Sequence, residues 1–135
     1  DFTMDQISNN YEGVRFPVSV SPPEQVRQIS LRAGIYASEG IVIFLFESVD
    51  DVSVLYPVAQ AQLLRRPIVE ISGVGEIASA HTEKMVLLPV QTTKILFTRC
   101  HALVYIDLFS PSATLDTATN YAERLDERLA ELVCR

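Results

Sequence analysis

The last third of the chain constrains the fold more than any other stretch. Residues 94–99 and 102–109 are two apolar, β-branched segments that only Cys100 and His101 separate. This spacing predicts a β-hairpin with a tight turn. A Ser-Pro-Ser breaker at residues 110–112 then ends the second strand, so a new element must begin after it.

Beyond the breaker, from about Ala113 to Cys134, apolar residues recur at spacings of three and four, which predicts a long amphipathic helix. Its apolar stripe consists of Leu115, Ala118, Ala122, Leu125, Leu129 and Leu132. We expect the charged residues of the opposite face to be solvated. They are Glu123, Arg124, Asp126, Glu127, Arg128 and Glu131.

The first half of the chain repeats this plan. Apolar residues alternate over residues 29–37, which predicts a half-buried strand, and residues 41–47 form an apolar run typical of a central strand. A capping box with Asp51 in place of glutamate predicts a helix over residues 48–64. Pro57 falls inside this helix, which indicates either a kink or a later start.

Shorter elements lie between the two ββα units. Residues 68–71 and 76–80 predict short strands on either side of a glycine turn. Residues 85–90 predict a further strand, and residues 91–93 predict the turn that leads into the C-terminal hairpin.

The order of elements predicts an α+β domain over residues 29–135. We expect an antiparallel sheet of about five to seven strands, with two helices packed on one face and a possible ββα pseudo-repeat. Residues 1–28 show no sustained period and are punctuated by prolines. We interpret them as an extended N-terminal arm with at most an edge strand near residues 15–20.

Composition limits the classes of function. The chain has 135 residues, a formal net charge of −6 and 48% hydrophobic residues, which fits one globular domain. The acidic balance argues against nucleic acid or an anionic membrane surface as partner, because both need clustered Lys and Arg. Residues 41–46, the longest apolar run, are too few to cross a membrane. The chain begins with Asp1 and shows no basic segment followed by an apolar one, so we expect that any export signal has been removed or lies outside the given sequence.

Cys100 and Cys134 are the two cysteines, and we expect them to form a disulfide that pins the C-terminal helix to the sheet. At about 100° per residue, Cys134 points away from the apolar stripe, so the last turn must unwind or the helix must lie obliquely. The alternative is two buried thiols in a cytosolic protein. A zinc site that adds His81 and His101 lacks the usual ligand spacing, so we expect no metal.

No catalytic signature is visible. Cys100 and His101 are neighbours at a hairpin tip, where side chains diverge, so a surface turn is preferred to a nucleophilic pair. Residues 72–75, Ser-Gly-Val-Gly, lack the lysine of a phosphate loop and the third glycine of a dinucleotide fingerprint. We therefore expect no cofactor.

Asp107 is the one carboxylate inside an apolar strand. If it faces inward, burial would raise its pKa and make it a candidate site residue; otherwise it lies on the solvent face of the sheet or pairs with a neighbour. Together with Phe44, Phe97 and Tyr105 it is also a candidate lining for an apolar ligand pocket, although such aromatic residues mostly belong to the core.

Three segments carry a resemblance. They are the Gly-x-Gly-Glu-x-Ala turn at residues 73–78, the hairpin at residues 94–106 and the helical run at residues 116–129. Their layout resembles that of uncharacterised exported bacterial lipoproteins and membrane-anchored extracytoplasmic, sensor-like domains, over about residues 29–133. In those proteins the hairpin tip is commonly Arg-Gly-Asn, where this chain has Arg-Cys-His. The resemblance implies export, which agrees with a disulfide, and it transfers no functional residue.

These observations leave three hypotheses. The first is a non-enzymatic extracytoplasmic domain, an accessory subunit or protein-binding module of a cell-envelope or membrane-associated assembly. We expect it to bind a protein partner, with residues 1–28 as a possible contact, and to meet the membrane only through a removed anchor or a partner. The second is a small-ligand sensor with an apolar pocket. The third, an enzyme, is disfavoured and would require His81, His101 or Asp107 within hydrogen-bond reach of one another.

Overall fold

A computed structural model describes residues 10–11, 14–15, 23–32 and 35–134. Two short strands, β1 (Asn10–Tyr11) and β2 (Val14–Arg15), pair with each other, and β2 lies against the first helix. The helices are α1 (Val49–Leu63) and α2 (Leu115–Val133). The strands of the main sheet are β3 (Gln25–Arg32), β4 (Ser38–Leu45), β5 (Val69–Glu70), β6 (Ile77–Lys84), β7 (Gln91–Arg99) and β8 (Ala102–Ser110).

The main sheet is antiparallel throughout, with the strand order β3-β4-β8-β7-β6-β5. The predicted C-terminal hairpin is β7–β8, and it places β8 in the middle of the sheet beside β4. These two central strands are the most apolar segments of the sequence, as expected of strands covered on both faces. The α+β class, the antiparallel sheet and the two helices are confirmed.

The two helices lie on opposite faces of the sheet, so the prediction that both cover one face is wrong. Side chains alternate along β8: Leu103 and Tyr105 join the cluster under α1, whereas Val104 and Ile106 join the cluster under α2. Because β4, β7 and β8 are apolar at both alternating positions, each face needs a cover. The structure therefore has three layers, with α1 and α2 outside and the sheet between them.

Each helix begins at a side-chain cap. The Ser48 hydroxyl accepts a hydrogen bond from the Asp51 N–H at 3.2 Å, and Thr114 caps α2 in the same way through Thr117. Pro57 neither ends nor delays α1, which starts directly after Ser48 and continues to Leu63. Within the described residues, neither helix is long and apolar enough to span a membrane.

Four strand assignments differ from the sequence prediction. The half-buried strand predicted over residues 29–37 ends at Arg32, and its residues Ile29 and Leu31 are exposed. The first main strand starts at Gln25, four residues inside the predicted arm. Residues 85–90 are a loop and not a strand, and residues 91–93 are the start of β7 and not a turn. The edge strand predicted near residues 15–20 lies almost entirely outside the described residues.

The predicted disulfide is present. Cys100 occupies the β7–β8 turn and Cys134 caps the end of α2, with 5.6 Å between their Cα atoms. Cys134 has left helical geometry at the C-cap, with φ −101° and ψ 50°, whereas the helix continues to Val133 and the Cys134 N–H still donates to the Ala130 carbonyl oxygen at 3.2 Å. In the chain-entropy model, closing a loop of this length stabilises the fold by roughly 3 to 4 kcal/mol.

Asp126 gives α2 a second attachment beside the disulfide, although the sequence placed it on the solvated face. Its carboxylate accepts hydrogen bonds from Arg99 Nε at 2.7 Å and Arg99 Nη2 at 2.6 Å, and from the Gly75 N–H at 2.8 Å. Burial acts to raise the pKa of Asp126, but the Arg99 and Gly75 hydrogen bonds outweigh it and hold the pKa below its usual range. We call the disulfide and this carboxylate network the α2 anchor.

Gly75 makes the anchor possible because its backbone passes close to β7. Its φ is +56°, and a Cβ there would lie 2.2 Å from the Thr98 carbonyl oxygen. Gly73 also has a positive φ, +82°, but a Cβ there would meet only a flexible Glu123 carboxylate at 3.6 Å. Substitutions at the two glycines therefore separate the cost of a left-handed backbone conformation, which both share, from the cost of a backbone clash, which only Gly75 has.

We predict that Gly75→Ala lowers the free energy of unfolding by about 3 kcal/mol or more, because it adds a backbone clash to the left-handed conformation. Gly73→Ala is the matched control and is expected to lose only about 1 to 2 kcal/mol. Urea unfolding followed by circular dichroism measures both. Equal losses in the two variants would show that β7 does not approach Gly75 closely.

Candidate functional site

The structure does not bring the four predicted pocket residues together. Phe44, Tyr105 and Asp107 lie on the α1 face of the sheet, whereas Phe97 lies on the α2 face. Phe44 and Phe97 are fully buried in their separate clusters, and Tyr105 is almost so. These aromatic side chains are core residues on either side of the sheet, so the four predicted residues do not line one pocket. Tyr105 and Asp107 do share a cavity of about 430 Å³ on the α1 face, whose other walls come from β3 and β4.

Asp107 lies beyond the end of α1, in a polar row that crosses the sheet. Its neighbours in register are Gly40 on β4 and Lys94 on β7, and Lys94 in turn lies beside His81 on β6. The carboxyl group is partly buried, which raises the pKa of Asp107, while the charge of Lys94 opposes this rise. In this row the Lys94 cation lies between Asp107, the only acid of the row, and His81, its only imidazole.

The possible catalytic residues are kept apart. His81 and Asp107 are two strand spacings from each other, about 10 Å, with β7 between them. His101 is at the β7–β8 turn, at the opposite end of the strands. His81 is buried, its Nδ1 lies 3.0 Å from the Pro67 carbonyl oxygen and its Nε2 lies 3.7 Å from a Glu83 carboxylate oxygen. The geometry that an enzyme hypothesis requires is therefore not formed by these residues.

No metal-binding group was found in the described part of the chain: nowhere there do three or more His, Cys, Asp or Glu side chains converge. The structure also does not bring together the four zinc ligands considered from the sequence. Cys100 and Cys134 bond to each other, and His81 lies on β6, away from the turn that holds His101.

The β6–β7 loop is the feature that ordinary folding does not explain. It has the sequence Met-Val-Leu-Leu-Pro-Val over residues 85–90, and the side chains of Val86 and Leu87 are both 93% exposed. Met85 and Leu88 are partly exposed beside them. Hairpin tips usually carry Gly, Asn, Asp or Ser, because a solvated turn gains nothing from apolar side chains.

A second apolar tip lies at the same end of the sheet. The β3–β4 connection exposes Ile35 by 74% and Tyr36 by 39%. The register fixes their common location, because the last pairs of the sheet at this end are Arg32 with Ser38, Phe109 with Ser38, Gln91 with Ser110 and Lys84 with Gln91. The two hairpins are three strand spacings apart, or about 14 Å. We call this end, with both tips, the apolar end.

A cavity of about 300 Å³ lies at the apolar end, on the α2 face. It opens between the β3–β4 hairpin and the first turns of α2. Its apolar walls come from Leu31, Ala37, Leu108 and Ala113, and Tyr121 and Glu39 contribute polar groups. The apolar end thus combines protruding side chains with a concave surface, which is typical of binding sites.

The opposite end of the sheet has the contrasting character. It contains the α2 anchor, and the Cys100 N–H donates a hydrogen bond to a Glu76 carboxylate at 2.6 Å. Arg99 extends the network with an ion pair to Glu76 at 3.5 Å. One end of the domain is therefore cross-linked and polar, and the other exposes apolar side chains.

Comparison with known proteins adds no assignment: no protein-family model, no curated protein and no solved structure matches this chain. The candidate site therefore rests on geometry alone. The sequence carried one signal for it, which was the position of Met85–Leu88 before Pro89. Proline lacks the N–H that a paired strand donates, so a strand is expected to end at Pro89. The polar residues 91–93 that follow can then begin the next strand.

Asp107 supplies a test of the polar row. Its raised pKa means that the folded state disfavours the ionised carboxylate, so this group destabilises the fold above its folded pKa, and the penalty disappears as pH falls through that pKa. We predict that Asp107→Asn raises the free energy of unfolding at pH 7 and has little effect at pH 3. Urea titrations at both pH values measure this. A loss of stability at pH 7 would instead show that the attraction of the Lys94 charge outweighs burial.

Proposed function

We propose that this chain is a non-enzymatic binding domain that docks on a protein partner through its apolar end, as an accessory part of an extracytoplasmic, membrane-associated assembly. The observation that carries the proposal is the nearly complete exposure of Val86 and Leu87 at the tip of the β6–β7 loop. The second tip, Ile35 and Tyr36, supports it by extending the same surface.

Exposed side chains of this kind contribute to association and not to folding. Burying a Val or Leu side chain fully in a partner gains about 1.5 to 3 kcal/mol each relative to leaving it in water. Two such side chains at a protruding tip are enough to form the centre of a small interface, in which a few anchors carry most of the free energy. The spacing of about 14 Å between the tips allows one partner surface to contact both.

The chemistry of the tip favours a protein over a lipid surface. Loops that enter a bilayer interface rely on Trp or Tyr together with Lys or Arg. Residues 85–90 contain no aromatic and no charged residue, and Tyr36 is the one aromatic residue of the second tip. The chain has no Trp, and its net charge of −6 opposes anionic lipids. A groove lined by aliphatic side chains on a partner protein is the complementary surface.

The disulfide supports the proposed compartment. Cys100 and Cys134 are bonded, and such bonds persist in oxidising environments outside the cytoplasm. The protein partners of a cell-envelope assembly would lie in the same oxidising environment. Redox chemistry thus supports the proposed location, and the apolar end supports the proposed partner class.

Photo-crosslinking in cells of the source organism tests the proposal. We expect benzoylphenylalanine at position 87 to yield an adduct with one discrete protein, and Val86→Asp to abolish that adduct because it places a charge in the apolar contact. The control position is Leu132, which is 66% exposed but lies near the C-terminal end of α2, away from the tips.

The purified partner then provides a quantitative measurement. In calorimetry Val86→Asp should weaken its binding at least tenfold, and Leu132→Asp should leave it unchanged. Identical adducts from positions 87 and 132, or adducts with lipid alone at position 87, would contradict docking on a protein through the apolar end.

A further inference from the structure

The lining of the cavity at the apolar end has a chemical character that docking of a protein on the two tips does not use. Its volume is about 300 Å³, and it is enclosed on one side by the β3–β4 hairpin and on the other by the start of α2. An apolar cavity of about 150 Å³ is already large enough to hold benzene. This one has room for a six-membered ring with a short side chain.

Its polar groups are concentrated at one position. Tyr121 and Glu39 both line the cavity, and the pKa of Tyr121 is raised by burial first and by the negative charge of Glu39 second, with Arg124 opposing. An ionised carboxylate has about four acceptor sites, so Glu39 can accept hydrogen bonds from a ligand as well as from a neighbouring hydroxyl. Glu39 is exposed, so those sites face the mouth of the cavity.

Two cations, Arg32 and Arg124, lie near this carboxylate. Arg32 contributes to the lining, but in register it lies opposite Ser38, so its side chain starts from the other face of the sheet. Glu39 and its neighbour in register, Leu31, start from the α2 face. The α2 face of the hairpin therefore presents an apolar wall next to an acidic group.

We propose that this cavity is a binding site for a small aromatic amine. The ring lies among Leu31, Ala37, Leu108 and Ala113, and the ammonium group donates hydrogen bonds to the Glu39 carboxylate beside the Tyr121 hydroxyl. A charge-assisted hydrogen bond of this kind orients the ligand, and the apolar walls supply most of its affinity. The proposal is independent of docking through the β6–β7 loop.

Three probes of nearly equal size test it by amide chemical-shift titration of the labelled full chain: 2-phenylethylamine, 2-phenylethanol and 3-phenylpropanoate. We expect saturable shifts at Ala37, Ala113 and Tyr121 with 2-phenylethylamine, at a dissociation constant near or below about 1 mM for a ligand of this size. The alcohol should bind about tenfold more weakly, and the carboxylate should not bind measurably because Glu39 repels it.

Two variants separate the charge from the cavity. Glu39→Gln keeps a hydrogen-bond acceptor for Tyr121 and should reduce amine affinity about tenfold while leaving the alcohol unchanged. Thr117→Phe, at an exposed position of α2 that lines the cavity, should block both ligands without disturbing the core. Val86→Asp should leave amine binding intact, so failure of the docking proposal and failure of this one are distinguishable.

Three results would overturn the proposal. They are equal affinity for the amine and the carboxylate, amine binding that survives Thr117→Phe, and shifts that do not saturate or that lie outside the cavity. Circular dichroism and an intact disulfide in each variant confirm that a loss of binding is not a loss of fold.

Discussion

The attachment of α2 to the sheet is the constraint on which the rest of the structure depends. The Cys100–Cys134 bond joins the end of the helix to the β7–β8 turn, and Asp126 joins its middle to β7 and to the Gly75 turn. Together they fix both the position and the rotation of the helix. The cavity depends on them, because the same helix contributes its first turns to the cavity wall.

This attachment also explains how one end of the domain can remain open. Folding gains come from the two buried clusters and from the cross-linked end, and neither cluster includes the tips of the β3–β4 and β6–β7 hairpins. Side chains such as Val86 and Ile35 can therefore stay in water without loss of the fold. Separating a rigid end from a binding end is a common way to combine stability with recognition, since binding loops are positioned by a rigid scaffold.

Sequence patterns anticipated the elements better than their arrangement. Alternation and capping located β4, β8 and both helices because those signals are local. The placement of α1 and α2 on opposite faces depended on which strands are apolar on both sides, a property of the assembled sheet. Asp126 was misplaced for a related reason: only its contact with Arg99 and Gly75 makes a buried carboxylate tolerable, and both partners are far away in sequence.

The candidate site was missed because an exposed apolar loop was predicted as a strand. Residues 85–90 have strand composition, and periodicity cannot distinguish a short buried strand from an exposed loop. The pocket predicted from Phe44, Phe97, Tyr105 and Asp107 does not form as one site, because alternation assigns Phe97 to the other face, while Tyr105 and Asp107 share a cavity. The disulfide was predictable because two cysteines leave a single intramolecular pairing.

The most direct test of the central claim, that the apolar tip is present for binding and not for folding, is the free energy of unfolding of the double variant Val86→Ser/Leu87→Ser. We expect it to lie within about 0.5 kcal/mol of the unmodified chain, as for other exposed substitutions. Val52→Ser, at a site on the buried face of α1 that is only 1% exposed, is the control and should cost about 2 kcal/mol or more. A loss above about 1.5 kcal/mol in the double variant would contradict the claim, because it would make the loop part of the folded core.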